Sequence, residues 1–81
     1  MKKEIMKFGA PWCAPCKRLD QELKGLQIEV TEINVDDNPA AAAQFGISGL
    51  PTVLLMEDGK VIKRLHGATD AVIATIKDFV S

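Results

Sequence analysis

The sequence predicts an α/β fold in which one four-stranded mixed sheet carries helices on both faces. Three observations carry that expectation. Strand-like and helix-like segments alternate through the first half of the chain, an Asp-Gly pair separates two apolar runs in the second half, and the C-terminal segment repeats its apolar residues at helical spacing. The element order is β-α-β-α-β-β-α. The long crossover through the first helix makes the first two strands parallel, and the hairpin adds an antiparallel pair. The chain has 81 residues, enough for one core, so a single domain over residues 1–81 is expected.

Each element has a local cause. Lys3–Phe8 is short, apolar-rich and bounded by Gly9 and Pro11, which suits a strand. After it, Cys16, Leu19 and Leu23 fall on one helical face, and Gly25 sits where that helix would stop. Gln27–Val35 alternates from Ile28 to Val30 and again from Ile33 to Val35, a second strand expected to be buried on both faces for part of its length. Asn38 can cap the next helix, Pro39 suits its first position and Gly46 ends it. Thr52–Met56 and Val61–His66 flank the Asp58-Gly59 turn. Last, Val72, Ile73, Ile76, Phe79 and Val80 form one stripe behind a Thr69 or Asp70 cap.

Composition excludes several function classes. Hydrophobic residues make up 47% and charged residues 26%, a balance that supports a folded core. A net charge of −1 gives no electrostatic reason to expect nucleic acid or an anionic membrane as partner. No apolar run approaches the ~20 residues of a membrane span. The opening MKKEIMKFGA has no long apolar stretch of the secretory kind, so the chain reads as cytoplasmic, a compartment where structural disulfides are rare.

The only two cysteines, Cys13 and Cys16, stand three positions apart in APWCAPCKR. As a structural staple they would close a very short loop, worth roughly 2 kcal/mol in the chain-entropy model. As a zinc site they lack ligands, since one His and no further Cys remain. A redox pair fits better. Cys13 lies where a strand gives way to a helix, whose free N–H groups and dipole favour a thiolate. Cys16, one turn further in, is expected to be the more buried and able to attack a mixed disulfide at Cys13. Pro15 in the first turn loses no helical hydrogen bond, and Lys17 and Arg18 add positive charge.

With these residues in view, WCAPCK resembles the thioredoxin signature Trp-Cys-Gly-Pro-Cys-Lys, with Ala14 in place of the glycine. The similarity continues through INVDDNP, FGISGLPT, DGKV and HGA, in thioredoxin order and spacing. The chain looks like a minimal thioredoxin, without the strand and helix that open full-length members. The resemblance implies that Cys13 is the exposed nucleophile and Cys16 the resolving thiol. It implies that Pro51 is a cis-proline beside the pair, with the Leu50 backbone offering hydrogen bonds to an extended substrate. Gly67 and Ala68, with Trp12 and Pro15, would complete a flat apolar rim.

The sequence departs from that family at one charged pair. Where thioredoxins carry a buried Asp six residues before the first cysteine, this chain has Lys7, and where a Lys often faces it, this chain has Glu32. The expectation is a partly buried Lys7–Glu32 ion pair behind the cysteines, with Glu32 a candidate proton carrier whose pKa Lys7 lowers. His66 and the Asp36–Asp37 run are expected to be surface residues, and Met6 and Met56 core filler.

The expected function is thiol–disulfide oxidoreduction of protein disulfides. The electron donor implied by the resemblance is an NADPH-dependent thioredoxin reductase, with glutathione second; no bound cofactor is required, and a monomer is expected. Two alternatives stand beside it: a glutaredoxin-like reductase of glutathione adducts, and a non-catalytic binding module that grips a partner with the same rim.

Overall fold

The computed structural model describes residues 2–81. Its first strand, β1, runs Lys3–Gly9 and becomes fully buried toward its end, where Lys7, Phe8 and Gly9 all lie inside. Helix α1 follows at Ala14–Gly25, then strand β2 at Thr31–Asn34 and helix α2 at Pro39–Gln44. Strands β3 (Thr52–Glu57) and β4 (Lys60–His66) form the hairpin, and helix α3 (Asp70–Val80) closes the chain. The strands lie in the order β2-β1-β3-β4. The β1–β2 pair is parallel and the other two pairs are antiparallel, as the crossover and the hairpin predict.

Alternating side chains on β1 and β3 feed two apolar layers. On one face Ile5, Val53 and Leu55 pack against Leu19 and Leu23 of α1 and Val72 and Ile76 of α3. On the other face Phe8, Leu54 and Met56 pack with Met6, Ile33, Ala41 of α2 and Phe45 at its C-cap. Helices therefore cover both faces, and Met6 and Met56 are core residues. Leu19, Val53 and Ile76 are each 0% exposed, and burying a side chain of that size contributes about 1.5–3 kcal/mol.

The turn and cap chemistry follows the residues. Asp58 and Gly59 both take positive φ (52° and 82°), the conformation a two-residue hairpin needs. Asn38 caps α2 through its side chain, which accepts from the Ala41 amide at 3.2 Å. Thr69 caps α3 by accepting from Val72 N at 3.3 Å, leaving Asp70 as the acidic first-turn residue.

The second strand is shorter than the alternation of Gln27–Val35 suggests. After α1 the chain wraps back on the helix end: Gln27 takes φ 57° and the Ile28 amide donates to Leu23 O at 3.0 Å. Only Thr31–Asn34 then reach β1, pairing with Met6–Gly9. The strand is also an edge, so Thr31 and Glu32 are exposed and Ile33 and Asn34 half-buried, and it is not enclosed on both faces. Its register sets Glu32 directly beside Lys7.

Candidate active site

Cys13 occupies the N-cap of α1 in an extended conformation, and its sulfur accepts from the Cys16 amide at 3.2 Å. Cys13 and Cys16 are joined by a disulfide across the first helical turn, with Cα atoms 5.3 Å apart. Pro15 sits within the first two helical positions, where its missing N–H breaks no bond. The pair packs against Ala10, with Val35 and Leu50 alongside. Cys13 is less open than the expectation of an exposed nucleophile: 5% exposed, against 2% for Cys16. The reason is that Val35 and Leu50 pack over it and Cys16 N–H closes on its sulfur.

The two cysteines nevertheless border different openings. A groove of about 580 Å³ is lined by Trp12, Cys13 and Pro15 on one side and by Ile47, Ser48 and Leu50 on the other. Cys16 does not line it. Cys16 instead lines an opening on the other side, of about 430 Å³, together with Lys7, Gly9, Asp20 and Glu32.

The remaining sequence-derived residues fall as follows. Trp12 stands 70% exposed at the groove, and its indole Nε1 donates to Asp36 Oδ2 at 2.9 Å. Asp36 is thus more than a solvated turn residue; its link to Trp12 spans a loop and leaves no local signal. The Leu50–Pro51 peptide bond is cis, and Pro51, just before β3, is buried and does not line the groove. Gly67 donates its amide to Pro51 O at 3.0 Å with φ +85°, a conformation that favours glycine. Ala68 is buried with Val72 in the core layer under α3, and neither it nor Gly67 lines the groove. His66 is exposed, as expected, with Nδ1 3.4 Å from Thr52 Oγ1.

Lys7 is 3% exposed, and its ammonium meets two carboxylates. Glu32 Oε1 lies at 3.5 Å, so the expected pair exists, but Asp20 Oδ1 is closer at 2.7 Å. Sequence reasoning missed Asp20, whose only signal is that it follows Cys16 by four residues and so shares its helical face. Asp20 Oδ1 is itself buried and accepts no well-directed hydrogen bond, although the Lys7 charge is beside it. Gly9 completes the packing: a Cβ there would lie 3.2 Å from Cys16 Sγ and 3.2 Å from Lys7 Nζ.

The protonation pattern differs from the expected one. Burial pushes the Asp20 carboxyl up, but hydrogen bonding with Glu32 and Lys7 and the Lys7 charge outweigh it and hold Asp20 below its ordinary value. Glu32 is raised, not lowered, by the hydrogen bond it shares with Asp20 and by burial, against the pull of Lys7. Asp20 takes the shorter contact with the ammonium, and Glu32 becomes the carboxyl that keeps a proton longer.

No group of three or more metal-ligating side chains occurs among the described residues, and no helix there is long and apolar enough to cross a membrane.

Known proteins are similar to this chain in sequence and in fold. The family model described as Thioredoxin matches residues 1–79. The thioredoxin of Chlamydia caviae is 42% identical over 71 residues, covering 82% of this chain and 70% of that protein. That of Streptomyces clavuligerus is 36% identical over 72 residues, covering 83% and 67%. Among solved structures, mitochondrial thioredoxin 3 of Saccharomyces cerevisiae in its oxidized form superposes with a TM-score of 0.82 at 32% identity, covering 94% of this chain and 77% of that one. Fasciola hepatica thioredoxin gives 0.84 at 28% identity, covering 96% and 81%. A family match over nearly the whole chain, joined to a redox-spaced disulfide at a helix N-terminus, makes this chain a member of the thioredoxin family and a thiol–disulfide oxidoreductase.

Proposed function

We propose that the chain reduces protein disulfides, with Cys13 as nucleophile and Cys16 as resolving thiol. The observation that supports this division most is that Cys13, at the N-cap of α1, lines the groove while Cys16 does not. A reduced Cys13 gains from the helix dipole and the Cys16 amide, both of which favour its thiolate. That thiolate attacks a substrate disulfide and expels one substrate thiolate. Cys16 then attacks the Cys13 sulfur, releases the second substrate thiolate, and leaves the Cys13–Cys16 disulfide, so two electrons pass to the substrate.

An extended substrate segment fits between Trp12 and Pro15 on one wall and Ser48–Leu50 on the other, with the Leu50 backbone as its hydrogen-bond partner. Pro51, Gly67 and Ala68 hold that wall from below through the Gly67–Pro51 bond and the α3 core. Lys7 and Glu32 serve proton movement behind the pair. The chain works as one domain over residues 1–81, as a monomer in a reducing cytosol, and is re-reduced by an NADPH-dependent thioredoxin reductase or, second, by glutathione.

The test is trapping. A Cys16→Ser variant is expected to accumulate a covalent, thiol-reversible adduct with a protein disulfide substrate, read by mass spectrometry, and to lose turnover. A Cys13→Ser variant is expected to form no such adduct. Full turnover by the chain with Cys13 alone in glutathione buffer would instead support the glutaredoxin-like reading.

A further inference from the structure

Among the described residues only two buried side chains are polar or charged, Lys7 and Thr52. Lys7 is held by two carboxylates. Thr52 heads a strand that continues through buried, apolar Val53, Leu54, Leu55 and Met56, where a valine would suit the sheet as well. A buried hydroxyl needs a partner, and this one has two. Its Oγ1 donates to Gly49 O at 2.6 Å and lies 3.4 Å from Nδ1 of His66. The hydroxyl proton is committed to the Gly49 carbonyl, so toward His66 the oxygen accepts.

Gly49 and Leu50 belong to the far wall of the groove, and little else ties that wall down. On the α2 side the last bond is from Ile47 N to Ala42 O, and on the sheet side the first is from Gly67 N to Pro51 O. Between these two points, among the described residues, the Thr52 hydroxyl supplies the only hydrogen bond. Gly49 adds freedom of its own, since a Cβ there would meet nothing within 4 Å and no neighbour restrains it. Thr52 is itself fixed, paired with Phe8 on one side and His66 on the other. Neither the N–H nor the C=O of Leu50 has a backbone partner among the described residues, so both stand free for a substrate.

We infer that Thr52 is a positioning residue for substrate. Its hydroxyl pins Gly49 to the end of an interior strand and so holds the Leu50 N–H and C=O in line for an extended peptide. His66 completes the hydroxyl's hydrogen bonds from β4. The inference rests on the reading that the chain reduces protein disulfides through this groove, and it makes the wall selective for disulfides that carry a peptide backbone. A small aromatic disulfide has no backbone to align and reaches Cys13 without the wall. Holding the wall in place before binding spares the ordering cost that a loose loop would incur at each encounter.

The experiment compares two substrates. Reduced protein is mixed in a stopped-flow instrument with an unstructured peptide closed by one disulfide and, separately, with dithiobis-nitrobenzoate, and its oxidation is followed through Trp12 fluorescence. The readout is the ratio of the two second-order rate constants, peptide over small disulfide. For Thr52→Val, which keeps the shape and removes the hydroxyl, that ratio is expected to fall about fivefold, the scale of one net hydrogen bond. Thr52→Ser is expected to recover most of it, and His66→Ala to lower it less, because the Nδ1 contact is the longer one. A wild-type ratio in Thr52→Val, or two rates slowed alike, would overturn the inference. So would a Thr52→Ser ratio as low as that of Thr52→Val, since the hydroxyl would not then be the cause. Wild-type protein that reacts with the small disulfide but leaves the peptide intact would overturn the proposed function itself, and the inference with it.

Discussion

A Cβ at residue 9 would lie 3.2 Å from both the Cys16 sulfur and the Lys7 ammonium, tighter than ordinary contact, so glycine lets both groups crowd the same spot. That close approach turns a charge buried among strands into part of the redox site. The consequence for stability is a pH dependence with two opposite parts. Asp20 is held below its ordinary value in the folded chain, so it contributes stability that is complete above the unfolded value of ~3.9 and fades as pH falls through the folded value. Glu32 is raised, so ionising it opposes folding, and stability is lost as pH rises from its unfolded value of ~4.3 through the folded one. Urea midpoints of wild type and Asp20→Asn are therefore expected to differ most near neutral pH and to converge as pH falls below the folded value of Asp20. Glu32→Gln is expected to remove the loss above about pH 4. A gap for Asp20→Asn that does not change with pH contradicts the assignment. At this scale the sequence was legible where one strand register decides: Lys7 and Glu32 are neighbours because β1 and β2 pair in parallel. Asp20 joins them only because α1 crosses over that pair, a packing fact with no local signature.

Among the elements, α2 bears the largest share of the groove for its size. It has six residues and no fully buried side chain, so its own packing holds it weakly. Its order rests on the Asn38 cap, on Pro39, and on a C-terminal wrap in which Gly46 takes φ +64° and Ile47 N donates to Ala42 O at 2.9 Å. Asn38→Ala is expected to cost about 1 kcal/mol. Hydrogen exchange is expected to quicken at the Ala41 and Ala42 amides and not in α3, and binding of a peptide substrate in the groove to weaken. Unchanged exchange at Ala41 contradicts the role given to the cap. Helix punctuation was readable here because Asn-Pro and Gly act locally. The true length of β2 was not, because the alternation of Ile28 and Val30 belongs to a segment that turns back on α1 before it meets a partner strand.

For the whole molecule, one sheet with an apolar layer on each face places Cys13 at one opening and Cys16 at another. The topology was legible because crossover length dictates a parallel pair and Asp-Gly a hairpin, and the nature of the site because the cysteine spacing and the helix N-terminus act together. The far wall of the groove and the depth of Cys13 depend on how Val35 and Leu50 close over the pair, which is set only by the assembled fold. The central claim is that this pair donates electrons to protein disulfides. Equilibration in a series of thiol/disulfide buffers, followed through the fluorescence of Trp12 beside the pair, gives its reduction potential. The account predicts a value near −270 mV, the level typical of thioredoxin, at which the reduced pair is a donor. A value above about −200 mV would contradict it, since the pair would then accept electrons from glutathione in place of supplying them to substrates.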